Sequence, residues 1–288
     1  MILPVELKVP GARLSYEVRG EGPLWVVVPG AAGDRAPYQQ LAVELSGRYR
    51  VVTYDRRGFS RSQLHGAQDY AHRFEVDADD VARLIGHLGA ERATVFGNSS
   101  GALVALQVLI DHPGVVERVI AHEPPAVRLL PDGEDWVAFF DAVYDTYRAA
   151  GPHPALRQFS EGITGGMVGR GGVVGHRRDP DTGARPVANL LYWFERELRQ
   201  YPRVELDVPA LAAYAHRIVL AGGVESKQFM TYQPATVLAT ALETPILDLP
   251  GGHLGLLAQP AEFALELLAA VAQPSPRGGE TPAPREPR

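Results

Sequence analysis

The chain contains no cysteine. Disulfides, thiolate metal sites and a cysteine nucleophile are therefore excluded. No stretch approaches the roughly 18 consecutive apolar residues of a membrane helix. The opening residues, Met1-Ile2-Leu3-Pro4, lack the basic region and apolar run of a secretion signal. The expectation is a cytoplasmic protein with no signal peptide and no membrane contact. Dense runs of Lys and Arg are also missing. With 28 basic and 34 acidic side chains the net charge is −6, and no nucleic-acid partner is expected. The arginines are scattered and mostly interleaved with acids, which reads as a solvated surface.

What is present suits a globular core. Of 288 residues, 45% are apolar and 22% charged. Residues 5–9 and 12–18 read as an antiparallel pair turning at Gly11. Leu24-Trp25-Val26-Val27-Val28 is a continuous apolar run bounded by Gly22-Pro23 and Pro29-Gly30. That pattern predicts a strand buried on both faces of a parallel sheet. A helix is expected at 36–46, a strand at 50–54, a helix at 75–89 and a strand at 93–96. The segment from Ser99 to His112 is apolar almost all round, and Pro113 stops it. Such a helix belongs inside. Val119-Ile120-Ala121 is the next strand, closed by Glu123-Pro124-Pro125. Strand and helix alternate throughout, which predicts an α/β fold with a mostly parallel, doubly wound sheet flanked by helices.

The rhythm breaks between 126 and 212, where the patterns are helical, over 136–150 and 190–201, around a Gly- and Arg-rich loop at 162–186. Alternation resumes with strands at 217–221 and 245–249 and helices at 229–242 and 260–272. The chain thus divides into a first core part (1–125), an insertion (126–212), a second core part (213–272) and a Pro-rich tail (273–288), expected to be disordered.

Gly97-Asn98-Ser99-Ser100-Gly101 falls between a short strand and the buried helix. A serine on such a turn is held in a tight, strained backbone, with its hydroxyl above the carboxyl edge of the sheet. The small residues two before and two after let strand and helix approach. Elsewhere a pattern of this kind is an ordinary tight turn; here the strand–turn–helix setting supports a nucleophile. A hydroxyl needs a base, and the base of such an elbow follows the last strand. There Pro250-Gly251-Gly252-His253 places His253 on a flexible loop. The other eight histidines read as surface or core residues. The acid that orients the base is expected after the preceding strand, in Gly222-Gly223-Val224-Glu225-Ser226, where Glu225 is the only acid. Glu123, which also ends a strand, is its rival, with a structural hydrogen-bonding role as the preferred reading. Asp248 lies within a strand and fits less well. An oxyanion hole calls for the Ser100 amide and one amide from Pro29-Gly30-Ala31-Ala32-Gly33. Ala31 is the first choice of donor and Ala32 the second; an ordinary Gly-rich turn is the competing reading.

The Ser99, Glu225 and His253 motifs resemble those of the α/β-hydrolase fold superfamily. Tyr54-Asp55-Arg56-Arg57-Gly58-Phe59-Ser60-Arg61-Ser62 is similar to a segment of its esterase, cofactor-free haloperoxidase and carbon–carbon hydrolase branches. The likeness spans roughly 12–272, without a clear match in the insertion. It implies an eight-stranded sheet, a helical cap and no cofactor; no metal is assigned. Two departures stand out: Pro29-Gly30 replaces the common His-Gly, and Glu225 stands where Asp is commoner.

The expected function is hydrolysis of a carboxylic ester or related acyl compound through an acyl-Ser99 intermediate, with a Ser-His-Glu triad and a small-molecule acyl substrate. The same site could serve acyl transfer, elimination or cyclisation in natural-product assembly. A non-catalytic binding protein on this fold is the third reading. Epoxide and haloalkane hydrolysis are disfavoured, because they want a carboxylate at position 99. Tyr192, Trp193 and Phe194 are candidates to line an apolar pocket, against core packing for at least two of them. Arg170, Arg177, Arg178 and Arg185 could meet an anion, although a solvated loop fits them better.

Overall fold

The computed structural model describes residues 5–166 and 185–272. The tail and most of the 162–186 loop, with Arg170, Arg177 and Arg178, lie outside the described residues. The strands are β1 (Val5–Val9), β2 (Ala12–Arg19), β3 (Leu24–Val28), β4 (Arg50–Tyr54), β5 (Gln63–Leu64), β6 (Ala93–Asn98), β7 (Val116–His122), β8 (Ile218–Gly223) and β9 (Ile246–Leu249). The helices are α1 (Gln39–Leu45), α2 (Arg73–His87), α3 (Ser100–Asp111), α4 (Gly133–Ala150), α5 (Pro152–Thr164), α6 (Arg185–Arg196), α7 (Val208–Ala212), α8 (Gln233–Ala241), α9 (Gly255–Ala258) and α10 (Pro260–Ala272).

All nine strands form one sheet, in the order β1-β2-β4-β3-β6-β7-β8-β9, with β5 paired to β2. The β1–β2 and β2–β4 pairs are antiparallel, and every pair from β4 through β9 is parallel. The eight expected strands are this path. The ninth, β5, has two residues, too few to show any periodicity.

The parallel strands feed both faces of the sheet. In β3, Leu24, Val26 and Val28 enter one core, and Trp25 and Val27 the other. All five are buried, each contributing about 1.5–3 kcal/mol of apolar burial. The first core is completed by α2, α3 and α8, the second by α1 and α10. Helix α3 lies in the sheet-facing layer with nine of its twelve residues buried, as its all-round apolar sequence requires.

Helices α4, α5 and α6 stand between β7 and β8 in the chain. They share a third core, including Phe140, Val143, Ala155, Ile163, Trp193 and Phe194, which Phe59 and Met230 join from the sheet side. The sequence pattern reveals α4 and α6 but not α5. Pro152 looks like a break there, yet it sits in the first turn of α5, where its missing N–H costs nothing.

One expectation is corrected. Arg35, Arg56, Arg57 and Arg73 are not solvated; each is exposed by 4% or less. Their partners are buried too. Arg35 meets Asp55, Arg57 meets Asp80, and Arg56 and Arg73 share Asp77 and Glu197. Asp77 and Asp80 lie on the inward side of α2, beside its apolar stripe. Interleaved charges look alike in sequence whether they face water or each other.

Candidate active site

The carboxyl ends of β6, β7 and β8 lie side by side, and each supplies one part of the site. Ser99 follows β6 with φ 54° and ψ −127°. A residue with a Cβ holds such angles only at a cost of about 1–3 kcal/mol. The surroundings enforce it. The Ser99 amide donates to the His122 carbonyl at 2.9 Å. A Cβ on Gly97 would stand 2.1 Å from the Gly101 carbonyl oxygen, and one on Gly101 would stand 2.3 Å from that of Val28. The two glycines therefore let strand and helix meet, and Ser99 is pushed out at the turn.

Glu123 follows β7, also at positive φ, 48°. Its amide donates to the Ala221 carbonyl at 2.9 Å, which extends the β7–β8 ladder by one residue. The side chain is fully buried. Its Oε1 accepts the Gly223 amide at 2.8 Å and its Oε2 accepts His253 Nδ1 at 2.6 Å. Burial pushes this carboxyl up. The His253 hydrogen bond and charge, with smaller help from His122 and the Gly223 amide, outweigh burial and hold it at about 2. The carboxylate is thus ionised across the working pH range.

His253 stands on the loop after β9 and is 8% exposed. Its Nδ1–H points at Glu123, which leaves Nε2 as the acceptor nitrogen. The loop comes close because β8 ends in glycine. A Cβ on Gly223 would stand 2.5 Å from the Gly251 carbonyl oxygen. The sequence expectation for the acid is corrected here: the partner of His253 is Glu123, not Glu225. Residues Val224–Ser226 form a 3₁₀ turn with Glu225 exposed, and the Glu225 amide is spent on the Gly251 carbonyl at 3.0 Å. Asp248 binds Lys227 and Tyr232 instead.

A second layer braces these groups, and sequence reasoning passed over it. Asn98 pairs with His122 in the β6–β7 ladder. Its amide nitrogen donates to His122 Nδ1 at 2.9 Å and lies 3.4 Å from the His253 carbonyl oxygen. Asn98 Oδ1 accepts the Tyr38 hydroxyl proton at 3.2 Å, and that hydroxyl accepts the Gly30 amide at 2.8 Å. The His122 ring stacks beside His253, with centroids 6.4 Å apart. Burial pushes His122 down to about 4, so it is neutral beside His253 at neutral pH. The sequence hint was the polar Asn98 and His122 at the carboxyl ends of β6 and β7, just after the runs Val95-Phe96-Gly97 and Val119-Ile120-Ala121.

Ala31, Ser99, Ser100, Glu123 and His253 line one cavity. Its other walls include Phe140, Phe159, Ile163, Trp193 and Met230. The cavity is narrow, about 40 Å³, room for two or three waters. Of the three aromatics in α6, Trp193 faces the cavity. Phe194 stacks on Tyr147, and the Tyr192 hydroxyl meets Arg73. Gly30 sits against the elbow, since a Cβ there would stand 3.1 Å from Ser99 Cβ. Neither the Ala31 nor the Ser100 amide has a backbone acceptor among the described residues. Ala32, the second choice of donor, holds φ 64° in the same turn. Among the described residues no cluster of three His, Asp or Glu side chains is arranged to hold a metal ion, and no helix is long and apolar enough to cross a membrane.

Comparison with known proteins agrees with this architecture. Residues 23–165 match the family profile described as the alpha/beta hydrolase fold. The uncharacterized hydrolase YraK of Bacillus subtilis (strain 168) is 34% identical over 267 residues, covering 91% of this chain and 93% of that protein. Zearalenone hydrolase of Bionectria ochroleuca is 31% identical over 119 residues, 40% of this chain and 44% of that one. A thermophilic esterase from Thermogutta terrifontis superposes with a TM-score of 0.72 at 20% identity, covering 95% of this chain and 99% of that structure. At that identity the likeness is one of fold.

Proposed function

The chain belongs to the α/β-hydrolase fold family and is a hydrolase, and on that footing we propose that it cleaves a carboxylic ester, or a related acyl compound, through an acyl-Ser99 intermediate. One observation carries the reading. A buried carboxylate, Glu123, holds the Nδ1 side of His253 at 2.6 Å, while Ser99 and His253 face a single cavity from adjoining loops.

The steps follow from these positions. His253 Nε2 takes the Ser99 proton as Oγ attacks the acyl carbon. Glu123 stabilises the imidazolium and keeps the ring in the tautomer that accepts at Nε2. The carbonyl oxygen gains negative charge and is met by the Ala31 and Ser100 amides, with the positive end of α3 behind Ser100. His253 then protonates the departing alkoxide and the acyl-Ser99 ester remains. Water repeats the sequence, with His253 as base, and releases the carboxylic acid. The substrate is a small molecule whose apolar part lies against Phe140, Phe159 and Trp193.

Ser99→Ala tests the reading. The variant is expected to fold normally, lose turnover of p-nitrophenyl esters and resist labelling by a fluorophosphonate. Undiminished hydrolysis by the folded variant would reject the acyl-serine mechanism.

A further inference from the structure

Arg56 is fully buried, yet no step above uses it. Its guanidinium spans two parts of the molecule. On one side Nη1 and Nη2 meet the two carboxylate oxygens of Glu197 at 2.9 and 2.7 Å, just past the end of α6. Nη1 also meets Asp77 at 2.8 Å. On the other side Nη2 donates to the Gly30 carbonyl oxygen at 2.9 Å. Burial opposes the charge on Arg56, and the Glu197 and Asp77 carboxylates more than offset it. The group stays a cation with a fixed orientation.

The Gly30 carbonyl belongs to the same peptide unit as the Ala31 amide. A trans peptide is planar, with its C=O and N–H opposed. Whatever fixes the carbonyl therefore fixes the direction of the amide. Here the carbonyl is held by Arg56 and by the Gly33 amide at 3.1 Å. The preceding peptide is held through its own amide, by Tyr38 at 2.8 Å. Ala31 lines the Ser99 cavity and its amide keeps no backbone acceptor among the described residues.

We infer that Arg56 is a positioning residue: through Gly30 it aims the Ala31 amide at the developing oxyanion, and through Glu197 it makes that aim depend on the docking of the helical insertion. This rests on the acyl-serine reading above. Arg57, next in sequence, is the natural contrast. It makes a comparable buried pair with Asp80 at 2.7 Å but does not reach Gly30.

The test compares Arg56→Met with Arg57→Met, using p-nitrophenyl acetate as substrate and a trifluoromethyl ketone as inhibitor. The ketone adds to the serine and places an oxyanion where the substrate would. Losing one oxyanion donor outright costs about 10²–10³ in kcat; a misaimed donor is expected to cost about tenfold to a hundredfold. Arg56→Met should show that fall with KM nearly unchanged, and ketone affinity should fall by the same factor. Arg57→Met should melt at lower temperature but keep kcat and ketone affinity. Should Arg56→Met fail to fold, Arg56→Met with Glu197→Met takes one positive and one negative charge from the buried cluster together and leaves Arg73 beside Asp77, which buried sites tolerate far better than one orphaned charge. The double variant should show the same kcat loss. A folded Arg56 variant with native kcat and native ketone affinity overturns the inference. If Ser99→Ala still hydrolyses the ester, the acyl-serine reading and this inference fall together. If Ser99→Ala is dead while the Arg56 variants are fully active, only the inference falls.

Discussion

Glu123→Gln is the sharpest probe of the site, because it removes a charge and keeps a shape. The Gly223 amide, 2.8 Å from Oε1, can still be accepted by the Gln side-chain oxygen, so the end of β8 stays in place. What disappears is a negative charge 2.6 Å from His253 Nδ1. At an effective dielectric of about 20, two unit charges at that separation attract by about 6 kcal/mol. That bounds what Glu123 can contribute to the imidazolium formed as Ser99 loses its proton, roughly four powers of ten in rate. The Gln amide can also donate to Nδ1, which favours the tautomer carrying its proton on Nε2. That tautomer cannot accept from Ser99. Removal of the acid from a serine triad costs about 10⁴ in kcat, within the bound. We expect kcat for a p-nitrophenyl ester to fall about 10³–10⁴-fold with KM little changed, and fluorophosphonate labelling to slow in parallel. Glu225→Gln, at an exposed position, should stay within about twofold of the native rate. Circular dichroism would check that both variants fold. A folded Glu123→Gln enzyme with native kcat refutes the reasoning, as does a thousandfold loss in Glu225→Gln.

Three further outcomes are expected. Glu123 is held at about 2 against an ordinary value of 4.5, so its contribution to stability, about 3 kcal/mol, is complete above pH 4.5 and drains away as the pH falls towards 2. The stability gap between the native protein and Glu123→Gln, followed by urea unfolding, should close over that window; a gap that is constant with pH would contradict it. Gly97→Ala forces a Cβ to within 2.1 Å of the Gly101 carbonyl oxygen, and thermal melts should show it destabilised by at least about 1–3 kcal/mol; an unchanged melting temperature would mean that strand and helix are not in contact there. Trp193→Ala should open the wall above Ser99 and raise kcat/KM for bulky acyl esters relative to acetate, in a chain-length series; an unaltered preference would place the acyl group elsewhere.

Much of this protein is readable from local pattern. The five-residue apolar run of β3 can only be a strand covered on both faces, and the sheet covers it so. The apolar girth of α3 demands an interior position. Gly97 and Gly101 flank Ser99 because two backbones meet there, so the elbow follows from their spacing together with the short strand before it and the apolar helix after it. His253 follows from its place beyond the last strand. The acid did not follow. Glu123 and Glu225 both stand just after strands, and chain order favours Glu225. The choice was made by the β7–β8 ladder, which carries Glu123 to the Gly223 amide, and by the missing Cβ of Gly223, which lets the His253 loop settle against it. Gly223 stands two residues before Glu225, yet its amide and the His253 loop turn to Glu123, 100 residues away along the chain. The buried ions make the same point. Arg56, Asp77 and Glu197 lie far apart in sequence and look like surface charges until the helical insertion folds over them. Local sequence determined which serine sits on the strand–helix turn and which histidine lies beyond the last strand, because turns and strand ends are short-range features. Tertiary structure decided which carboxylate holds His253, and that an arginine reaches the Gly30 carbonyl, because charges find their partners only when distant segments are brought into one dry interior.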